Sequence, residues 1–125
     1  MKVKLFIIVQ SKDIFNRLIN QKMPVSAAYK IMKISKAVEE ECAFYTKRIQ
    51  ELIEKYGEKD KNNNYVLNNG NVQIKKDLEE ECNKEISELE NLEVDLPDIF
   101  LSLEDLNSTE LTPREIFILE PFLEK

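Results

Sequence analysis

From Val25 to Tyr56 the chain contains neither proline nor glycine. Within that stretch Ala28, Ile31, Ser35, Val38, Cys42, Tyr45, Ile49, Leu52 and Tyr56 recur at alternating spacings of three and four. This is a heptad seam sustained for four repeats, interrupted once by the polar Ser35. It predicts one helix over 25–57, opening after Pro24 with Ser26 as a cap and stopping at Gly57. At the helical rise such a helix is roughly 50 Å long. A chain of 125 residues makes one domain at most. A helix of that length must therefore span the globule or project from it.

The other elements are arranged around this helix. The start, Met1 to Val9, mixes alternation with a β-branched run and reads as a strand. Ser11 or Asp13 then caps a short helix with Ile14, Phe15, Leu18 and Ile19 on its apolar face, so that 1–24 forms a strand and a short helix. Residues 65–74 read as a β-hairpin. Asn69-Gly70 suits a type I′ turn, which pairs Leu67 with Val72 and Tyr65 with Ile74 on one face. A lone hairpin is marginal, so that face is expected to dock on a helix or a partner. Asp77 is read as the cap of a second long helix over 77–92, with Leu78, Cys82, Ile86 and Leu89 facing inward. Residues 93–125 are expected to hold a short strand, Ile99, Phe100, Leu101 and Leu103, which is able to pair with the first. They end in a helix capped by Thr112 with Pro113 at N1 and Glu115 at N3. The predicted class is α+β. A long antiparallel helical hairpin carries a β-hairpin at its tip, with a small sheet and two short helices at the other end.

Composition closes off many activities. There is no histidine, which excludes Ser-His-Asp and Cys-His nucleophile systems and histidine-containing zinc sites. Two glycines in all cannot build a phosphate-cradling loop. Cys42 and Cys82 are too few for a four-cysteine zinc site. Their heights along the predicted helix pair differ by roughly 9 Å, beyond disulfide reach, so both read as reduced core thiols. Glu39-Glu40-Glu41 and Glu79-Glu80-Glu81 each precede a cysteine. Consecutive helical positions point 100° apart, however, so neither triplet converges on one cation. No catalytic, cofactor or metal residue is assigned, and the chain is read as non-enzymatic. The apolar run Leu5 to Val9 is shorter than a secretory signal or a membrane span, which points to an intracellular protein without membrane insertion.

Charge is unevenly spread. Residues 1–36 carry eight basic groups against Asp13 alone, a net +7. Residues 37–76 balance at seven and seven, and residues 77–125 hold three basic groups against sixteen acids, a net −13. Either the fold brings the two ends together or the acidic part meets a basic partner. Lys30, Lys33 and Lys36, with Tyr29 beside them, form a weak phosphate-contact candidate, which the acidic surplus opposes. Direct nucleic-acid binding is therefore not expected. Glu79, Glu80, Glu81, Glu85 and Glu88 form a carboxylate row that can stand in for phosphates, with Tyr65 and Leu67 on the hairpin as further contact candidates. Ordinary solubility explains the same row without a partner.

A short lysine-rich start followed by the blocks Met23-Pro24-Val25-Ser26-Ala27-Ala28-Tyr29-Lys30-Ile31, Leu52-Ile53-Glu54-Lys55-Tyr56-Gly57-Glu58-Lys59-Asp60, Glu93-Val94-Asp95-Leu96 and Leu111-Thr112-Pro113 through Glu120-Pro121-Phe122 carries a resemblance. The sequence resembles, over nearly its whole length, the small uncharacterised phage and prophage proteins of low-GC Gram-positive bacteria. The resemblance implies a phage or prophage origin and a place in the host cytoplasm. It supplies no catalytic residue, and the Glu-Glu-Glu-Cys strings fall outside its pattern. Two functions fit these expectations. One is an acidic protein that binds and inhibits a host nucleic-acid enzyme or defence nuclease, as an anti-CRISPR protein does. The other is a virion accessory protein or tail chaperone. A homo-oligomer is compatible with either, because a heptad seam can serve a second chain as well as an internal partner.

Overall fold

The computed structural model describes all of residues 1–125. In chain order it contains β1 (Lys2–Lys4), α1 (Leu5–Leu18), α2 (Val25–Tyr56), β2 (Leu67–Asn68), β3 (Asn71–Val72), α3 (Glu79–Glu90), β4 (Glu93–Asp95) and α4 (Pro113–Leu119). Single 3-10 turns occupy Lys76–Leu78, Glu104–Leu106 and Glu120–Phe122. The class is α+β, with two small antiparallel sheets, β1 with β4 and β2 with β3.

The N-terminus departs from expectation. The chain is extended only over Lys2–Lys4, where Val3 alone is buried. From Leu5 onward it is helical, and Leu5, Ile8, Ser11, Ile14, Phe15 and Leu18 are buried. That spacing is the stripe of a helix, and it overrides the β-branched run Ile7 to Val9. Ser11 and Asp13 are therefore not caps. Ser11 lies on the buried stripe, where its hydroxyl donates to the Ile8 carbonyl at 2.7 Å.

The span of α2 is the expected one, but its start and its buried line differ. Pro24 occupies the N-cap without any side-chain hydrogen bond, so Ser26 does not cap. The buried residues are Ala27, Ile31, Ile34, Val38, Cys42, Leu52 and Tyr56. Ala28 is exposed and Ser35 half-buried. A straight helix turns once in 3.6 residues, so a seam counted at 3.5 drifts by about 20° per heptad. Going back from Val38, the drift replaces Ser35 with Ile34 and Ala28 with Ala27.

The main core joins α1 and the N-terminal half of α2 to the C-terminal segment. Leu96, Leu101, Leu106, Leu119 and Phe122 pack there with Ile8, Phe15, Leu18, Ile31 and Val38. Phe15 and Phe122 meet edge to face, with ring centres 5.1 Å apart and planes at 81°. The partner of the first strand is not Ile99 to Leu103. It is β4, in the register Lys2↔Asp95, Val3↔Val94, Lys4↔Glu93. Opposite charges flank one apolar pair, a pairing the Ile99 to Leu103 segment could not offer. Leu101 instead bridges in parallel to Leu123, donating to the Phe122 carbonyl and accepting from Glu124, each at 2.8 Å.

A second, smaller core forms where α3 meets the C-terminal part of α2. Leu52, Tyr56 and Cys82 are buried there, with Ile49, Ile74, Leu78 and Ile86 packed around them. Asp77 does not cap α3. It lies in the preceding 3-10 turn, and Leu78 at the N-cap makes no side-chain hydrogen bond. The helix begins instead with Glu79, Glu80 and Glu81 in its first turn, where the helix dipole favours carboxylates. It ends at Glu90, short of Leu92, and the Asn91 side chain donates to the Ser87 carbonyl at 2.8 Å. In α4 the capping box is formed as expected: Thr112 Oγ1 accepts from the Glu115 amide, and Glu115 Oε1 accepts from the Thr112 amide.

Between the long helix and α3 the chain builds a compact tip. Asn69 and Gly70 have φ of 53° and 83°, as a type I′ turn requires, and Leu67 pairs with Val72. Tyr65 does not face Ile74. It bridges to Lys59, and Ile74 bridges to Gly57, because residues 57–60 run between them. Leu67 remains 63% exposed, so the apolar face does not dock as a whole. Three amides close a ring: Glu58 donates to Gln73, Gln73 to Val66, and Val66 to Glu58, each at 2.8 Å. Gly57 makes this geometry reachable. A Cβ there would lie 2.5 Å from the Ile53 carbonyl oxygen and 2.9 Å from the Tyr65 ring.

The two glycines therefore separate by mechanism. Gly57→Ala should cost ~1–3 kcal/mol, because a fixed backbone oxygen stands in the way. Gly70→Ala meets nothing within 4 Å and should cost only about 1 kcal/mol, through its positive φ. Urea unfolding of both variants checks this, and equal midpoint shifts would refute the steric account of Gly57.

Candidate functional site: the acidic arm

The carboxylates of α3 sort themselves by helical geometry. Cys82 and Leu89 are buried and Ile86 half-buried, which fixes the inward side. Glu79, Glu80, Glu81 and Glu88 are exposed, as expected. At 100° per residue Glu79 and Glu81 stand on opposite flanks. The outward face also carries the exposed Asn83, Lys84 and Ser87. The acidic row is thus narrower than composition implies and holds one lysine. None of Glu79, Glu80, Glu81 and Glu88 has a cation within 4.0 Å.

Glu85 departs from the expectation of a solvent-facing carboxylate. It is half-buried, and its Oε1 accepts from Lys55 Nζ at 3.4 Å. The same lysine lies over the Tyr56 ring, 5.0 Å from its centre. Glu85 Oε2 is buried and makes no regular hydrogen bond. The adjoining Tyr56 hydroxyl is the main influence that holds the Glu85 carboxyl below its ordinary value, with Lys55 and Arg48 acting in the same direction against burial. In return Glu85, more than burial, pushes the Tyr56 hydroxyl up. Glu85 therefore belongs to the joint between α2 and α3, not to the free face. Its partners come from another helix, and no local spacing signals them.

Tyr65 and Leu67 lie on the tip, not on α3. The Tyr65 ring abuts Gly57 and carries Lys59 Nζ 5.0 Å above it, so it is half-buried, whereas Leu67 stands free.

Elsewhere the charge gradient folds back on itself. The Met1 amino group pairs with Asp98, Arg17 with Glu115, and Lys30 Nζ with Asp105 Oδ2 at 2.9 Å. The Ser102 amide also donates to Asp105 at 2.9 Å, and this amide, followed by Lys30, holds the Asp105 carboxyl below its usual range. Lys30 is thus committed to Asp105, and Lys33 lies over Tyr29, 5.5 Å from its ring centre. The three lysines do not form one phosphate-ready cluster.

No three His, Cys, Asp or Glu side chains gather as a cation would need. Cys42 and Cys82 are free and buried in different cores, and burial pushes both thiols up. No helix is long and apolar enough to cross a membrane.

The Glu85 joint carries a signed pH dependence. Its carboxyl titrates below the ordinary value of 4.5 when folded. Its contribution is therefore complete above that value and is lost as pH falls through the folded one. Glu85→Gln should flatten the decline in urea midpoint between pH 5 and pH 3 relative to the unaltered chain, and parallel declines would refute the role given to Glu85. No family model matches this chain, and no curated protein or solved structure matches it either.

Proposed function

We propose that this chain is a phage-encoded, non-enzymatic protein-binding module acting in the host cytoplasm. Its acidic arm, a helical hairpin of α2 and α3 with the β-hairpin at its end, occupies a basic nucleic-acid channel on a host enzyme. A defence nuclease of the CRISPR type is the most specific form of that target. One observation carries this reading. Ion pairs within the fold neutralise Asp98, Asp105 and Glu115, yet leave Glu79, Glu80, Glu81 and Glu88 without a cation. Carboxylates held on a helix present fixed negative charge at little ordering cost, which suits them to replace phosphates.

The test joins inhibition with folding. The unaltered chain should bind and inhibit a basic-channel nuclease at ~50 mM salt and lose affinity as salt screens the contact. Replacing Glu79, Glu80, Glu81 and Glu88 together by glutamine should weaken inhibition at least about tenfold, with the thermal midpoint little changed. Absence of binding to any such nuclease at low salt would overturn the proposal.

A virion accessory or tail-chaperone role is the second reading. The exposed Leu67 on the tip favours it, because an assembly factor needs apolar contact more than charge. In that case mass analysis of purified virions should find the chain in fixed stoichiometry, whereas an inhibitor should be absent.

A further inference from the structure

The face of α2 that turns away from both cores is not the plain polar surface of an outer helix face. It carries Tyr29, Met32 and Phe44, which are 57%, 51% and 41% exposed. Between Met32 and Phe44 lie Lys36 and Glu40, both exposed and neither in an ion pair within 4.0 Å. Lys47 follows on the same side and is also exposed. At 100° per residue these six positions, together with exposed Lys33 that lies over the Tyr29 ring, occupy about a third of the helix circumference. They lie opposite Ile31, Val38 and Cys42, which the main core consumes.

The stripe is complementary to itself when reversed. Two copies laid antiparallel, with a two-fold axis at the level of Val38, set Lys36 of each against Glu40 of the other. The same register sets Met32 against Phe44 and Tyr29 against Lys47. Every pairing occurs twice: opposite charges at the centre, apolar groups next, and an ammonium beside an aromatic ring at each end. We propose that the outer face of α2 binds a second copy of this chain in this antiparallel register. From Tyr29 to Lys47 the contact strip is about 27 Å long and about 10 Å wide, about a third of the ~800 Å² per partner in a standard stable interface. A contact this small makes a weak dimer, and it leaves α3 and the tip free.

Sedimentation from ~5 to ~500 µM at low salt tests the proposal. The unaltered chain should pass from monomer to dimer across that range. Lys36→Glu alone and Glu40→Lys alone should each weaken association about tenfold or more, since each places like charges across the axis. An equimolar mixture of the two variants should recover the dimer, because a Lys36→Glu chain then meets a Glu40→Lys chain. Both substitutions are at exposed positions, and unchanged melting curves will show that folding is not the cause. A chain that stays monomeric to ~500 µM overturns the proposal and leaves the face to an unlike partner. A dimer indifferent to both variants, or a mixture that fails to associate, overturns it equally.

Discussion

The fold is governed by a mismatch of lengths. The apolar line of α2 runs along a helix of 32 residues, whereas α1, its nearest partner, has 14. At 1.5 Å per residue, about 48 Å of helix meets a cover of about 21 Å. An uncovered apolar line is unstable in water, so the chain must supply a second cover. It does so with α3 and the tip, which close over Leu52 and Tyr56. Two cores on one helix follow from this, the larger with the C-terminal segment folded over it and the smaller at the far end.

Electrostatics follows the same division. Over the larger core the basic start of the chain and its acidic end are brought together, and Met1, Arg17 and Lys30 find Asp98, Glu115 and Asp105. In the register of β1 and β4, Lys2 and Lys4 stand across from Asp95 and Glu93. Over the smaller core only Glu85 is tied to a cation of the neighbouring helix, Lys55. Glu79, Glu80, Glu81 and Glu88 have no cation within 4.0 Å, although Lys4 reaches the end of α3 at Asn91.

Features written in neighbouring residues could be read without coordinates. The long helix, the Asn69-Gly70 turn and the Thr112 capping box each depend on side chains within a few positions of one another. Features decided by distant residues could not. Leu5 to Val9 suits a strand or a helix equally well, and contact with α2 and the C-terminal segment decides for helix. The strand that pairs with β1 depends on which distant segment the fold brings beside it, and that is Glu93–Asp95 rather than Ile99 to Leu103. In the acidic arm, exposure of Glu79, Glu80, Glu81 and Glu88 followed from periodicity. The burial of Glu85 did not, because Tyr56 and Lys55 belong to a different helix.

The ring formed by Glu58, Val66 and Gln73 bears on how the tip can be recognised. Short strands ordinarily expose a row of idle amides and carbonyls, which another chain can join as an added strand. Here the amide and carbonyl of all three residues are already engaged with one another. At this level the tip has no vacant edge to template pairing with a neighbour. At that level a partner meets side chains, such as that of Lys59, rather than idle backbone groups. The same closure makes the three bonds a cooperative unit, so their amide protons should exchange with solvent together when the tip opens, rather than fraying one by one.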